Sequence, residues 1–133
     1  MKTQIGFVGG GRVTRIILQA FKNRELPLEH ITVSETDTEA ANRLKSQFPD
    51  ISLADAEAAA SRDFIFIALH PPAIMDMLGK IKGSLSKDAV VISLAPKIAI
   101  DKIASVLGKA QKIVRLIPNA TSFINEGYNP VAF

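Results

Sequence analysis

Short apolar runs alternate with helical patterns along this chain. The runs are rich in β-branched residues and show no polar alternation, which is typical of strands in a parallel sheet that is covered on both faces. Five such strands are predicted, at residues 5–8, 31–33, 64–68, 90–94 and 113–117. A weaker strand is predicted at 51–53, and the tail at 126–133 is a candidate for a last one.

Amphipathic helices are predicted between the first strands. The first covers about residues 11–23, where apolar positions form one stripe, and it ends before Pro27. The second covers about 38–47, with Thr38 as its expected N-cap, and it stops at Pro49. Each of these helices connects two strands of the same direction, as a parallel sheet requires.

The second half of the chain continues this alternation. A short alanine-rich helix is predicted at 55–60, another helix at 72–82 that closes at Gly83, and a third at 101–108 that Asp101 caps. No polar, low-complexity linker separates these elements. The predicted fold class is therefore α/β: a Rossmann-type doubly wound, mostly parallel sheet with helices on both faces.

The composition fits one such domain. The chain has 133 residues, of which 47% are hydrophobic and 22% are charged, so residues 1–133 are expected to form a single domain around one ordinary core. No cysteine is present, which excludes a disulfide framework, a thiolate metal site and a cysteine nucleophile. No apolar run approaches membrane-spanning length, and we expect a cytoplasmic protein.

The chain is mildly basic, with a net charge of +3 and a pI near 9.3. A basic protein can bind nucleic acid, but the lysines of the second half are scattered and form no cluster. The chain also has only one tyrosine and no tryptophan to interleave with these lysines. We therefore expect a solvated surface, with no nucleic-acid or membrane partner.

Three glycines, Gly9, Gly10 and Gly11, lie between the first predicted strand and the first predicted helix. Glycine lets a strand turn sharply into a helix, whose N-terminus then offers unpaired N–H groups and a positive dipole end to a phosphate. Gly9 and Gly11 fill the first two positions of G-x-G-x-x-G, and Thr14 takes the third. Thr14 either holds the helix off the sheet or bonds its hydroxyl back into the turn. The motif predicts a dinucleotide site, and the alternative is a tight turn that binds nothing.

Glu35 ends the second predicted strand, at the same sheet edge as the glycines. Ligands of doubly wound sheets bind at this edge, where an acidic residue commonly accepts hydrogen bonds from the adenosine ribose hydroxyls. The carboxylate would repel a 2′-phosphate and so favours NAD over NADP, although Ser34, Thr36 and Arg12 offer donors to a phosphate. The alternative is a solvated acidic turn.

The two histidines give no clear catalytic assignment. His70 follows the predicted strand at 64–68 and is a candidate general acid or hydrogen-bond donor. The alternative is that it only occupies the strand end and has no functional role. His30 precedes the second strand and is expected at the opposite edge of the sheet. Neither belongs to a Ser/His/Asp constellation or has a second ligand at a useful spacing, so no catalytic residue and no metal site is predicted.

The strand ends, taken in order, carry a family resemblance. The segments concerned are IGFVGGG at 5–11, VS at 33–34, IALHP at 67–71, VISLA at 91–95 and VRLIPN at 114–119. They are similar to the N-terminal domain of pyrroline-5-carboxylate reductases and to the wider group of F420-dependent NADP oxidoreductase-like domains. The resemblance implies NAD or NADP as cofactor and hydride transfer from the nicotinamide to the C=N carbon of a cyclic imino acid, which yields proline.

The resemblance also implies roles for individual residues. The glycine turn, Arg12 and Val13 would hold the pyrophosphate, and Ser34 and Glu35 would address the adenosine ribose. Asp55 would lie close to the adenosine half. The nicotinamide side would be flanked by residues of the later strand ends, namely Ala68, Leu69, His70, Pro71, Ala95 and Asn119.

The chain departs from the family pattern at this same edge. Arg12-Val13 stands where the family has Asn-Met, His70-Pro71-Pro72 where it has Lys-Pro-Gln, and Pro96-Lys97 where it has Ala-Gly. The resemblance therefore predicts the fold more directly than the substrate, and another imine or a carbonyl compound remains an alternative substrate. Family enzymes also carry a C-terminal helical domain for dimerisation and for much of the imino-acid pocket, which this chain lacks. We expect a homo-oligomer in the full-length protein and low activity of this domain alone.

Two other functions remain as alternatives. A non-catalytic nucleotide sensor would fit the departures from the family pattern. A methyltransferase could use the same glycine turn and Glu35 to hold S-adenosylmethionine. It would leave the Pro118-Asn119 strand end and the His70-Pro71 turn without an explanation.

Overall fold

A seven-stranded sheet runs through the described part of the chain. The computed structural model describes residues 3–69, 71–94, 98, 100–108, 111–116 and 131–132. Within them the strands are β1 Ile5–Val8, β2 Ile31–Ser34, β3 Ser52–Leu53, β4 Phe64–Ile67, β5 Val90–Ser93, β6 Lys112–Leu116 and β7 Val131–Ala132. The helices there are α1 Arg12–Asn23, α2 Thr38–Gln47, α3 Ala56–Ala60, α4 Pro71–Ile81 and α5 Ile100–Leu107, with a 3-10 turn at Lys82–Ser84.

The strand order is β3-β2-β1-β4-β5-β6-β7. The first six strands are parallel, and β7 pairs antiparallel with β6. The chain moves outward from β1 to β3 and then returns to place β4 on the other side of β1. The winding thus changes direction between β1 and β4, which is the position where doubly wound sheets bind ligands. The predicted Rossmann-type fold is confirmed.

Alternate residues of the strands build two cores, one on each face of the sheet. Phe7 and Phe66 pack with residues of α1 and α2, and their rings stack with centroids 4.6 Å apart. Val8 and Ile67 belong to the other core, to which α3, α4 and α5 contribute. All four side chains are buried, because helices cover both faces. Their burial explains why the strands lack polar alternation.

The predicted cap of α2 is wrong by one residue. Asp37, and not Thr38, is the N-cap, because its carboxylate accepts hydrogen bonds from the N–H groups of Glu39 and Ala40, at 3.0 and 3.5 Å. Aspartate is as good a cap as threonine and reaches these N–H groups from one position earlier. Thr38 is therefore the first helical residue.

The remaining boundaries differ from the prediction by small amounts. Helix α5 already begins at Ile100, so Asp101 lies inside the first turn and is not the cap; a carboxylate there still interacts favourably with the helix dipole. Helix α4 begins at Pro71, one residue earlier than predicted. Strand β7 falls within the candidate tail, and the rest of that tail lies outside the described residues.

Candidate cofactor site

The first glycine of the turn is fixed between two neighbouring strands. The Gly9 N–H donates to the Ser34 carbonyl at the end of β2, at 2.8 Å. Gly9 has a φ of +108°, and a Cβ built there would lie 2.3 Å from the Ala68 carbonyl oxygen at the end of β4. A side chain would meet both a strained backbone and a main-chain atom. Gly9 is therefore required by the fold itself, at the point where the winding reverses.

The turn is also held from inside by the Thr14 hydroxyl. Thr14 Oγ1 donates to the Gly9 carbonyl at 2.6 Å, and the residue is fully buried. Of the two alternatives for Thr14, the structure shows the bond back into the turn. Since a buried hydroxyl without a partner is costly, this bond ties the first turn of α1 to the end of β1.

The last glycine leaves the N-terminus of α1 open. Gly11 is the N-cap, with extended backbone, and no side chain caps the helix. The first bond of the helix runs from the Arg15 N–H to the Gly11 carbonyl, so the three preceding N–H groups have no acceptor inside the helix. No acidic residue lies in the first turn, and no atom lies within 4 Å of a Cβ built on Gly11. The geometry suits an anion such as a pyrophosphate.

Glu35 lies beside the turn, as predicted, but its carboxylate bridges two stretches of main chain. Glu35 Oε1 accepts from the Gly10 N–H and Oε2 accepts from the Asp37 N–H, both at 2.9 Å. The half-buried side chain thus connects the glycine turn to the start of α2. Each carboxylate oxygen keeps a second lone pair, which a ribose hydroxyl can use.

The other predicted adenosine-side residues have structural contacts of their own. Ser34 is buried, and its carbonyl accepts from Gly9, so the residue supports the turn from behind. Asp55 caps the short helix α3 by accepting from the Ala58 N–H at 2.8 Å. Val13 packs its side chain against the core on the α1 face, and its N–H belongs to the open end of that helix.

Only part of the predicted nicotinamide side can be placed. Ala68 and Leu69 follow β4 and contact the glycine turn, since both lie within about 3 Å of a Cβ built on Gly9. Pro71 begins α4. His70, Ala95 and Asn119 lie outside the described residues. His30 lies at the far edge of the sheet, as predicted, where its carbonyl accepts from the Ile5 N–H at 3.0 Å.

Sequence reasoning missed a cleft that continues from the glycine turn along the groove between α1 and α2. This feature, called the arginine cleft below, has a volume of about 160 Å³ and is lined by Gly10, Gly11, Arg12, Arg15, Ala40, Arg43, Leu44 and Gln47. Three guanidinium groups line it, and no acidic residue does. Arg12 and Arg15 are three positions apart on α1, a spacing that would have placed them on one helical face.

The three arginines of the cleft have no counter-ion in the described part of the chain. No hydrogen bond or ion pair joins their side chains to another described side chain. The ion pair found among the described residues joins His30 and Glu29, which do not line the cleft. Arg12 and Arg43 are exposed, and Arg15 is half-buried. The same described ranges contain no group of His, Asp or Glu that could hold a metal ion, and no helix long and apolar enough to cross a membrane.

Known proteins with this fold include enzymes of twice this length. A pyrroline-5-carboxylate reductase of Corynebacterium melassecola is 25% identical over 133 residues, which cover 97% of this chain and 49% of the relative. A solved pyrroline-5-carboxylate reductase of Coxiella burnetii superposes with a TM-score of 0.90 at 27% identity, over 98% of this chain and 49% of that one. The chain therefore spans about half the length of these relatives.

A more distant structure shares the fold alone. The pyrroline carboxylate reductase of Plasmodium falciparum, solved with NADP bound, superposes with a TM-score of 0.83 at 20% identity, over 98% of this chain and 48% of that one.

The family described as "NADP oxidoreductase coenzyme F420-dependent" matches residues 4–97, which is more than half of the chain. The predicted resemblance is confirmed, and the chain belongs to this family of NADP oxidoreductases.

Proposed function

We propose that this chain is the NADP-binding domain of an oxidoreductase similar to pyrroline-5-carboxylate reductase. The observation that carries the proposal is the glycine turn, which is locked at the reversal point of the sheet and leads into an uncapped helix N-terminus. When bound, the dinucleotide would supply a hydride to the C=N carbon of a cyclic imino acid. The family membership and the reductase relatives support this interpretation over a methyltransferase.

The chain's own residues have distinct tasks in this proposal. The N–H groups at the start of α1, including those of Arg12 and Val13, would hold the pyrophosphate. Glu35 and Thr14 keep the turn in place by bonding to Gly10 and Gly9. Because these bonds exist within the protein, the turn needs little rearrangement on binding.

The cofactor in this proposal is NADP. Glu35 alone favours NAD, because a free carboxylate at the ribose repels a 2′-phosphate. In the structure both of its oxygens accept main-chain N–H groups, which spread and partly offset the negative charge. The description of the family and the NADP-bound reductase from Plasmodium falciparum also support NADP.

The proposal extends to the whole protein. Residues 1–133 would be the dinucleotide-binding domain, and a helical domain of the kind expected from the resemblance would supply dimerisation and much of the imino-acid pocket. The relatives, at twice this length, have room for such a domain. A cyclic imine substrate, a homo-oligomer and a cytoplasmic location belong to this same proposal.

Titration of the chain with NADPH, NADH and S-adenosylmethionine tests the proposed ligand. We expect saturable binding of NADPH, seen as a change in nicotinamide fluorescence and as heat in calorimetry. Saturable binding of S-adenosylmethionine alone would contradict the oxidoreductase assignment. Absence of binding by all three would contradict the proposed dinucleotide site and the methyltransferase alternative.

A substitution at the helix N-terminus tests the proposed place of binding. In the Gly11→Asp variant, the new side chain caps α1 and puts a negative charge where the pyrophosphate would lie, so NADPH affinity should fall by about tenfold or more. Gly11→Asn is the matched control, because it caps the helix without the charge. Both variants should remain folded, since the position has open space around it. Equal affinities of the two variants would place the pyrophosphate elsewhere.

A further inference from the structure

We propose that the arginine cleft binds the 2′-phosphate of NADP, and that Arg43 and Arg15 thereby make the site select NADP over NAD. The inference rests on the proposed function, because it names the part of the cofactor that these arginines would contact. It assigns a role to Arg15 on α1 and to Arg43 on α2, neither of which the sequence alone marks as a site residue. The position of the cleft, its positive charge and the hydrogen bonds of Glu35 support this assignment.

The cleft lies where the adenosine end of a dinucleotide belongs. In doubly wound sheets the adenosine ribose lies at the end of the strand that follows the glycine motif, which is β2 in this chain. Glu35 follows β2 and bonds to Gly10, and Gly10 is itself part of the lining of the cleft. The cleft therefore begins beside the expected ribose and continues outward between α1 and α2.

The charge of the cleft matches a phosphate monoester. Such a group carries a charge between about −1.5 and −2 at neutral pH and offers several acceptor oxygens. The three arginines that line the cleft have no counter-ion among the described residues, so a dianion bound there would gain Coulomb attraction from their positive charges. Arginine is also suited to phosphate because its planar group donates two parallel hydrogen bonds. NAD has no such group at this position and would leave the arginines unpaired.

Arg43 distinguishes the proposed 2′-phosphate site from the proposed pyrophosphate site. The pyrophosphate is assigned to the N–H groups at the start of α1, close to Arg12. Arg43 comes from the middle of α2 and lines the cleft from that helix, whereas the proposed pyrophosphate site belongs to α1. A substitution of Arg43 should therefore affect a 2′-phosphate and leave the rest of the dinucleotide alone.

Glu35 does not oppose this assignment. Its two oxygens accept from the Gly10 and Asp37 N–H groups, which directs the carboxylate toward main chain on both sides. We infer that Glu35 is a positioning residue, which holds the glycine turn against the start of α2. The two walls of the arginine cleft belong to these same segments, so Glu35 also fixes the spacing between its arginines.

The test compares three variants of the chain, Arg43→Gln, Arg15→Gln and Arg24→Gln, by titration with NADPH, NADH and 2′,5′-ADP. Arg43→Gln should weaken NADPH and 2′,5′-ADP by about tenfold, the effect of losing one charged hydrogen-bonding partner, and should change NADH by less than about twofold. Arg24→Gln is the matched control. It removes the same charge from an exposed residue at the other end of α1, about 18 Å from Arg12 at 1.5 Å per residue. It should leave all three affinities unchanged.

The outcomes separate this inference from the proposed function. If the parent chain binds neither NADPH nor NADH, the proposed function fails and the inference fails with it. If both bind and Arg43→Gln lowers their affinities equally, the dinucleotide site stands and the 2′-phosphate assignment is overturned. The assignment is also overturned if neither Arg43→Gln nor Arg15→Gln changes the ratio of NADPH to NADH affinity. A selective loss of NADPH and 2′,5′-ADP supports it.

Discussion

The glycine turn and the arginine cleft are adjacent, but they differ in whether their polar groups have partners within the protein. In the turn, Gly9 and Gly10 bond to Ser34, Thr14 and Glu35. In the cleft, the side chains of the arginines have no hydrogen bond or ion pair with any described side chain. The main chain of the turn is thus fixed by bonds within the fold, whereas the arginine side chains of the cleft have no partner among the described side chains.

This difference has an energetic meaning for binding. Because the turn is already fixed, ligand binding does not have to order it. The entropy cost of binding is smaller, and the affinity is higher without any additional contact. The arginine side chains contribute little to folding, because replacing them removes no hydrogen bond or ion pair within the described part of the chain. Substitutions in the turn should therefore change folding, and substitutions in the cleft should change binding.

The largest expected effect is that of Gly9→Ala. Its methyl group would lie 2.3 Å from the Ala68 carbonyl oxygen on a backbone with positive φ, and the free energy of unfolding should fall by about 3 kcal/mol. Urea denaturation followed by circular dichroism measures this change. Gly11→Ala is the control, because a Cβ there meets nothing within 4 Å, and it should cost less than about 1 kcal/mol. Equal losses in both variants would show that the turn is not fixed at Gly9.

A smaller loss is expected for Thr14→Val. The valine has nearly the same shape but cannot donate to the Gly9 carbonyl, and the buried acceptor would lose its partner. The free energy of unfolding should fall by about 1 to 2 kcal/mol. Thr14→Ser keeps the hydroxyl and loses only a methyl group. If the serine variant were the less stable of the two, packing and not the hydrogen bond would fix the start of α1.

The smallest effect on stability is expected in the cleft. Arg15→Gln and Arg43→Gln should each change the free energy of unfolding by less than about 0.5 kcal/mol, because neither side chain has a partner to lose. Asp37→Ala is a useful contrast on α2, since it removes the helix cap and should cost about 1 kcal/mol. A loss above 1 kcal/mol in either arginine variant would remove the distinction between turn and cleft.

The sequence was sufficient for the fold because the decisive signals are local and strong. Buried strands such as β1 and β4 are continuous apolar runs, and the glycines mark the turn that follows the first of them. The caps were less predictable. Asp37 and Thr38 are neighbouring residues that both favour the cap position, and only the path of the chain before α2 decides which carries the hydrogen bonds.

The site was only partly predictable for a different reason. Glu35 lies at the predicted edge of the sheet, directly after β2, but nothing in the local pattern indicates that both of its oxygens accept main-chain N–H groups. The arginine cleft depends on the packing of α1 against α2, which brings Arg15 and Arg43 together from distant parts of the sequence. Local pattern gives the face of each helix, but it does not give the neighbour that the face meets.

The position of β1 between β2 and β4 also affects when the site forms during synthesis. The Gly9 N–H bonds to the Ser34 carbonyl at the end of β2, and the Ala68 N–H after β4 bonds to the Val8 carbonyl, so the turn needs both neighbouring strands to be complete. A chain that is still emerging from the ribosome has no finished glycine turn until the segment containing Ala68 has left the exit tunnel. Until then nucleotide cannot stabilise the early strands, and their apolar surfaces are not yet covered by the complete fold.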